Sequence, residues 1–288
     1  MKEVNLSINT ESCIKCGKCV KVCPSKIIKQ SSKDAPAMVE SSKGCISCGH
    51  CVAVCPTTSV IHSEFPAEKV HPIDYALYPT AQQMMLLINA RRSNRVFSTK
   101  PVPTASLDLV LEAGHRAPTA SNQQQVGFTL ITEPEHIRMI IDFTVSTFDE
   151  AAKKLKNPFL KPILKRTMPM AYRYLPVLER MKNELQKGND PILRKATAVI
   201  LIHSPKSNSF GVEDSNLAYQ NASLMAETLG ISQFYTGFVL MAIRQDKKGK
   251  LANLLGIDGK VCAGMALGMP QFRYPNYIDR KDINVKKL

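Results

Sequence analysis

The chain has 288 residues, 44% of them hydrophobic, which suits two domains with a sizeable core. A formal charge of +14 fits nucleic acid, anionic lipid or acidic protein partners, but no recognised nucleic-acid motif is present and Trp is absent, so nucleic acid is set aside. No apolar run approaches a membrane span and Met1 to Ser12 holds no apolar stretch of the secretory kind, so the expectation is a cytoplasmic chain with no transmembrane segment.

Eight of the nine cysteines fall into two copies of Cys-x2-Cys-x2-Cys-x3-Cys-Pro. The first is Cys13, Cys16, Cys19, Cys23 and Pro24; the second is Cys45, Cys48, Cys51, Cys55 and Pro56. The copies lie 32 residues apart and differ at three places, which implies two similar half-units around a shared core. Thiolates at intervals of three can wrap one iron–sulfur cubane. Gly17 and Gly49 lack a Cβ and let the backbone approach it. Ile14, Val20 and Val22, with their repeats Ile46, Val52 and Val54, are expected to form an apolar jacket. This is the bacterial ferredoxin run, in which three close thiolates hold one cluster and the fourth crosses to the other. It assigns Cys13, Cys16, Cys19 and Cys55 to one 4Fe–4S cluster, and Cys45, Cys48, Cys51 and Cys23 to the second. Zinc sites space their Cys-x2-Cys pairs more widely, and disulfides require an oxidising compartment. Residues 1–64 are therefore expected to be a small two-cluster ferredoxin domain.

A linker with Pro66, Pro72 and Pro79 is expected over 65–79, and a second domain over 80–288. Thr80 and Gln83 form a capping-box pattern ahead of an apolar helix through Ile88. That helix runs into Arg91-Arg92-Ser93-Asn94-Arg95-Val96-Phe97. Its arginines and serine suit an anionic ligand, although a solvated basic patch has the same composition. A helix from Thr104 to Ala113, the segment Arg116 to Gln124 and a strand from Val126 to Thr132 follow. After a helix near Ile137–Ile141 come a strand over Ala196–His203, a helix over Asp214–Leu229 and a strand ending at Phe234-Tyr-Thr-Gly237. Cys262 reads as a buried strand residue. The last motif is Gly268-Met-Pro-Gln-Phe-Arg-Tyr-Pro275.

These motifs, in this order, resemble the FMN-dependent nitroreductase family. The family's Arg-Arg-Ser-x-Arg-x-Phe matches Arg91 to Phe97, and its Ala-Pro-Ser-x-x-Asn-x-Gln loop matches Ala117, Pro118, Thr119, Asn122 and Gln124. The resemblance implies an α+β domain with a central, mostly antiparallel sheet, dimeric, with two FMN sites at the subunit interface. Arg91, Arg92, Ser93 and Arg95 would hold the flavin phosphate and pyrimidine edge. Arg273 would join them at the phosphate, with Gln271 beside it. Pro118, Thr119, Ala120, Asn122 and Gln124 would line the ring from the other subunit. Backbone around Tyr235, Thr236 and Gly237 would face the flavin N5.

Residues 145–195 read as a basic helical insertion that Pro158, Pro162, Pro169 and Pro176 break into short helices. A lid over the flavin, a seat for the ferredoxin domain and a lipid-facing surface all fit its interleaved lysines, methionines and aromatics. His50 is expected to pack near a cluster, and no catalytic residue is assigned, because the cofactor carries the hydride. No Gly-x-Gly-x-x-Gly is present, so a nicotinamide would stack on the flavin.

The expected function is an oxidoreductase. A low-potential donor, such as an acidic ferredoxin or flavodoxin, feeds single electrons through two 4Fe–4S clusters to FMN. The flavin then reduces a nitroaromatic, quinone, flavin or activated alkene. Reverse flow from NAD(P)H, or a redox sensor without turnover, remain as alternatives. The three differences between the cysteine runs place Lys15, Lys18 and Lys21 in the first. Local positive charge favours the reduced cluster, so the first-run cluster is expected to titrate at the higher potential. Separate redox titration of the two clusters checks this, and the reverse order refutes it.

Overall fold

The computed structural model describes residues 4–288. The chain forms two compact units, one running to Tyr78 and including Ala120–Gln123, the other comprising Pro79–Thr119 and Gln124–Leu288. No helix among the described residues is long and apolar enough to cross a membrane.

In the first unit the sequence repeat becomes a repeat of backbone. The elements run β1 (Leu6–Ile8), α1 (Lys18–Val22), β2 (Ile28–Lys29), β3 (Met38–Val39), α2 (His50–Ala53) and β4 (Val60–His62). Strand β1 pairs antiparallel with β4 in the register Leu6↔His62, and β2 pairs antiparallel with β3. Each short helix follows a left-handed glycine, Gly17 at φ 66° and Gly49 at φ 73°. Lys15 and Ser47 (φ 60° and 48°), and Lys26 and Thr58 (φ 54° and 51°), repeat the same excursions. Leu6, Ile28, Ala37 and Val60 form the buried core with Cys19 and Cys51, and Val20 and Val52 pack against it. Ile14, although 60% exposed, borders the same space as Cys13 and Cys16. The segment from Phe65 to Tyr78 is largely exposed and holds only two single 3-10 turns, Ala67–Lys69 and Tyr75–Leu77.

The second unit opens with α3 (Ala81–Ala90), α4 (Thr104–His115), β5 (Gly127–Ile131), α5 (Pro134–Lys156), α6 (Lys161–Thr167) and α7 (Pro169–Gln186). It continues with β6 (Ala198–Ser204), α8 (Gly211–Thr228), β7 (Ser232–Tyr235), α9 (Gly237–Gln245), α10 (Lys250–Leu254) and β8 (Lys260–Gly268). The four strands form one antiparallel sheet in the order β5-β6-β8-β7. The two central strands are near-continuous apolar runs because both of their faces are covered. Val199 and Leu201 enter the core shared with α5 and α9, whereas Ala198, Ile200 and Ile202 enter the core shared with α4 and α8. Cys262 is buried on β8. The capping box at α3 is reciprocal: the Gln83 N–H donates to Thr80 Oγ1 at 3.2 Å, and the Thr80 N–H donates to Gln83 Oε1 at 2.8 Å.

The insertion differs from its sequence expectation. Helix α5 runs unbroken for 23 residues and buries Val145, Phe148, Ala152 and Leu155 within the stretch assigned to the insertion. Pro158 and Pro162 lie beyond its end, but Pro176 sits inside the 18-residue α7 instead of ending it. An interior proline loses one backbone hydrogen bond. Packing compensates here, because Val177, Leu178, Met181 and Leu185 all rest on the core. Lys182 pairs with Asp149 at 2.9 Å, and Tyr172 Oη donates to the Leu155 carbonyl at 2.8 Å, fastening α7 to α5. Helix α6 buries none of its residues, and Phe159 ahead of it is 87% exposed.

Candidate functional site

In the first unit the cysteines border two small pockets of similar size. Cys13, Cys16, Cys19 and Cys55 line one, with Ile8, Ala37 and Val60. Cys23, Cys45, Cys48 and Cys51 line the other, with Leu6, Ile27 and Ile46. Among the described residues no three potential ligands converge on a point as a single-ion site requires. The thiols instead surround a volume, the arrangement a cubane asks of four separate ligands.

Burial pushes Cys51 up to about 11, and Cys45, Cys48 and Cys23 beside it add to the rise. Burial likewise raises Cys19. Burial also acts to raise Cys55, but the Thr57 N–H, the Thr57 hydroxyl and the Val60 and Ser59 N–H groups outweigh it and leave that thiol lowered. Buried thiols that resist ionising alone become ligands when an iron centre supplies the opposing charge. His50 is exposed at the start of α2. The histidine at the thiols is His62, 3% exposed, with Nε2 at 3.5 Å from Cys45 Sγ. Burial lowers its pKa and so favours the neutral ring.

In the second unit Arg91 to Phe97 runs between β7 and the chain that leaves β8. Ser93 bridges Gln233 in parallel, and Phe97 bridges Pro270 antiparallel. The Ser98 N–H donates to the Met269 carbonyl at 2.7 Å, and Gln271 Nε2 donates to the Phe97 carbonyl at 2.9 Å. Asn94, 4% exposed, donates from Nδ2 to Ser232 Oγ at 2.9 Å and accepts the Val96 N–H on Oδ1 at 3.0 Å. Its burial fixes the register of the charged residues on either side. The Arg95 guanidinium stands 5.1 Å from the centroid of Phe234 and donates to the Ser93 carbonyl at 3.1 Å.

Arg92 and Arg273 thereby come to one pocket, together with Glu227, Ser232 and Tyr274. Arg92 Nη2 is buried with no hydrogen-bond partner among the described residues, and Thr236 Oγ1 is in the same state at the end of β7. Gly230, at φ 70°, leaves room for the Arg273 guanidinium, which a Cβ there would meet at Nη2. Burial raises the Glu227 carboxyl above its usual range, against the charges of Arg91 and Arg273 and the Arg92 N–H. Burial pushes Tyr219 up to about 12, with Arg91 and Arg95 opposing. Tyr219 Oη donates to Gln233 Oε1 at 2.7 Å, Gln233 Nε2 donates to Ser223 Oγ at 3.0 Å, and Tyr235 Oη donates to Asn216 Oδ1 at 3.0 Å.

The remaining expected residues divide between the units. Pro118, Thr119 and Gln124 belong to the second, where Thr119 Oγ1 accepts the Gln124 N–H at 3.0 Å. Ala120 and Asn122 belong to the first, where Asn122 Nδ2 donates to the Ser47 carbonyl at 2.8 Å and the Ile46 carbonyl at 3.2 Å. Glu227, Tyr219, Gln233, Asn94 and His62 are absent from the sequence-based list. Each makes its contact with a residue outside its own element.

Residues 88–269 match the model of the nitroreductase family. The chain belongs to the nitroreductase family. This nitroreductase carries a second match at residues 5–64, to a 4Fe-4S dicluster domain. Its fold resembles a nitroreductase with bound FMN from Desulfitobacterium hafniense, at 16% identity and a TM-score of 0.53, covering 70% of this chain and 97% of that one. An FMN-dependent nitroreductase from Clostridium difficile gives 19% identity and a TM-score of 0.52, covering 72% and 99%. The nitroreductase with bound FMN from Bacteroides fragilis gives 18% and 0.51, covering 71% and 99%. No curated protein matches by sequence.

The raised Glu227 carboxyl makes this family member's stability pH-dependent. The folded chain holds that proton more tightly than the unfolded chain, so stability is greatest below the ordinary carboxylate pKa and falls as pH rises through the folded value. Glu227→Gln is expected to raise the thermal midpoint at pH 7, with the gain shrinking toward pH 5. Thermal scans across that range check it, and a gain that grows on acidification refutes it.

Proposed function

We propose that the chain is an FMN-dependent oxidoreductase. Two 4Fe–4S clusters would draw single electrons from a low-potential donor, for the two-electron reduction of an electron-poor organic acceptor such as a nitroaromatic, quinone, flavin or activated alkene. Such clusters pass electrons singly, whereas bound FMN collects two and releases them as a hydride. The observation that carries the reading is Arg92 Nη2, buried and unpartnered in a pocket that Arg273 shares. A buried guanidinium N–H without an acceptor is costly, and a flavin phosphate would satisfy it.

The other residues follow from that placement. Arg91 and the Ser93 hydroxyl would complete the phosphate contacts. Arg95, held over Phe234, would donate to the pyrimidine edge. Gln271, tied to the Phe97 carbonyl, would steady the segment rather than bind the ligand. The backbone of Thr236 and Gly237 would face the flavin N5, with Tyr235 beside it. Pro118, Thr119, Ala120, Asn122 and Gln124 would border the ring of the partner subunit.

The homodimer is supported by α3, whose Met84, Met85, Leu86 and Ile88 are all exposed in the single chain. An apolar helix that buries none of its residues wants a cover, and a second copy supplies one. An acidic electron carrier fits the charge of +14 as donor.

Arg92→Ala and Arg273→Ala are each expected to weaken FMN binding on the order of 10–100-fold, the worth of one charged hydrogen bond. The iron content should stay unchanged. Flavin released on denaturation, set against iron per chain, measures both, and full flavin occupancy refutes the phosphate assignment.

Anaerobic stopped-flow mixing of the oxidised protein with NADH, NADPH or reduced ferredoxin tests the direction. Rapid bleaching by ferredoxin alone is expected. Rapid flavin bleaching by a nicotinamide, with iron–sulfur absorbance following, overturns the inward path.

A further inference from the structure

The two thiol sets sit in half-units that repeat in backbone yet differ in the groups that touch sulfur. His62 and Gln30 occupy equivalent places, each 17 residues beyond the first cysteine of its run. Gln30 spends its amide on backbone, donating from Nε2 to the carbonyls of Lys15 at 2.9 Å and Ala35 at 2.8 Å. His62 instead turns Nε2 toward Cys45 Sγ at 3.5 Å. Its tautomer is fixed by the other nitrogen, because Nδ1 accepts the Glu64 N–H at 3.1 Å. The proton therefore resides on Nε2 and points at sulfur. Phe65 braces the ring, with centroids 4.8 Å apart.

The opposite substitution occurs at Thr57 and Ser25. Ser25 Oγ donates to the Gly44 carbonyl at 2.7 Å and leaves its neighbour Cys23 alone. Thr57 Oγ1 lies 3.7 Å from Cys55 Sγ at the end of a row of hydroxyls. Ser12 Oγ donates to Ser59 Oγ at 2.9 Å, and Ser59 Oγ lies 2.7 Å from Thr57 Oγ1. With the Ser59 oxygen accepting from Ser12, its own proton is free for Thr57, and the Thr57 proton for Cys55. The Ser59 N–H reaches the same sulfur at 3.3 Å.

We propose that these unshared donors tune the two clusters separately. His62 acts as a positioning residue that holds an N–H on Cys45 and raises the potential of the cluster bound by Cys23, Cys45, Cys48 and Cys51. Thr57 does the same through Cys55 for the other. The inference rests on the two-cluster reading above. Its physical basis is that a donor to a ligand sulfur stabilises the more negative, reduced state, and does so most where water is excluded.

The test is a mediator-poised titration of the whole protein followed by EPR, after iron and acid-labile sulfide have been counted. A count short of two cubanes would sink the two-cluster reading itself. With both present, His62→Phe, which keeps a ring and removes the donor, is expected to lower one wave only. The reduced-to-oxidised ratio at a fixed potential should fall about tenfold, about 59 mV for a one-electron couple. His62→Gln, which restores a donor, should recover part of that shift. Thr57→Val should lower the other wave alone, and it serves as the reading if His62→Phe fails to assemble. Waves that move together, waves that do not move, or both variants moving the same wave would each overturn the proposal.

Discussion

The first unit depends on an exchange. Each cavity takes three thiols from one cysteine run and one from the other, Cys55 for the first and Cys23 for the second. On the proposed two-cluster ligation neither half completes its ligand set alone, so the halves would have to fold against each other. This accounts for the antiparallel pairing of β1 with β4, which joins the two ends of the unit. It also accounts for the backbone. Lys15 and Ser47 take left-handed conformations that cost on the order of 1–2 kcal/mol each in a residue with a Cβ. Such strain persists only where the surroundings over-determine it. Four sulfurs aimed at one volume are such surroundings.

The second unit solves a different problem, the gathering of like charges. Arg92 comes from the segment after α3 and Arg273 from the chain after β8, and the bridges to Gln233 and Pro270, with the hydrogen bonds of Ser98 and Gln271 beside them, bring them together. Asn94 is the pin, since its buried amide forces alternate residues to opposite sides. Gathered guanidinium groups repel one another before any anion arrives. Glu227 stands among them, but its raised pKa shows that burial costs its charge more than the arginines repay. A dianionic phosphate carries more charge than this single carboxylate and would be the better partner for the arginines.

Much of this was legible in the sequence, for a physical reason. Ligation by closely spaced thiols is a local property, so spacing alone groups the cysteines that border each cavity. Capping is equally local, and Thr80 with Gln83 form the reciprocal pair their spacing implies. The strands Ala198–Ser204 and Lys260–Gly268 lie where apolar runs stand, because both faces of each are buried. What stayed hidden depends on distant contacts. Pro176 reads as a breaker, yet tertiary packing of the residues after it keeps α7 whole. Glu227 reads as an ordinary helix-end carboxylate until Arg91, Arg92 and Arg273 are folded around it. His62 reads as a strand residue, and only the register Leu6↔His62 and the closure of the second half-unit bring it to Cys45.

The difference between the two cluster sites turns on which charges count. Lys15, Lys18 and Lys21 distinguish the cysteine runs on paper, but all three are exposed. In water a unit charge at 4 Å is worth about 1 kcal/mol, and salt reduces it further. A buried donor in contact with a ligand sulfur acts at closer range and in a weaker dielectric, where the same field costs less to maintain and reaches further into the cluster. The lysines therefore bias the surface around the first run, whereas the imidazole of His62 and the hydroxyl of Thr57 act on the sulfurs themselves. A duplicated cage can keep its backbone, which ligation demands, and still give its two electrons different places to rest. It needs only to change side chains at positions where the repeat places no ligand.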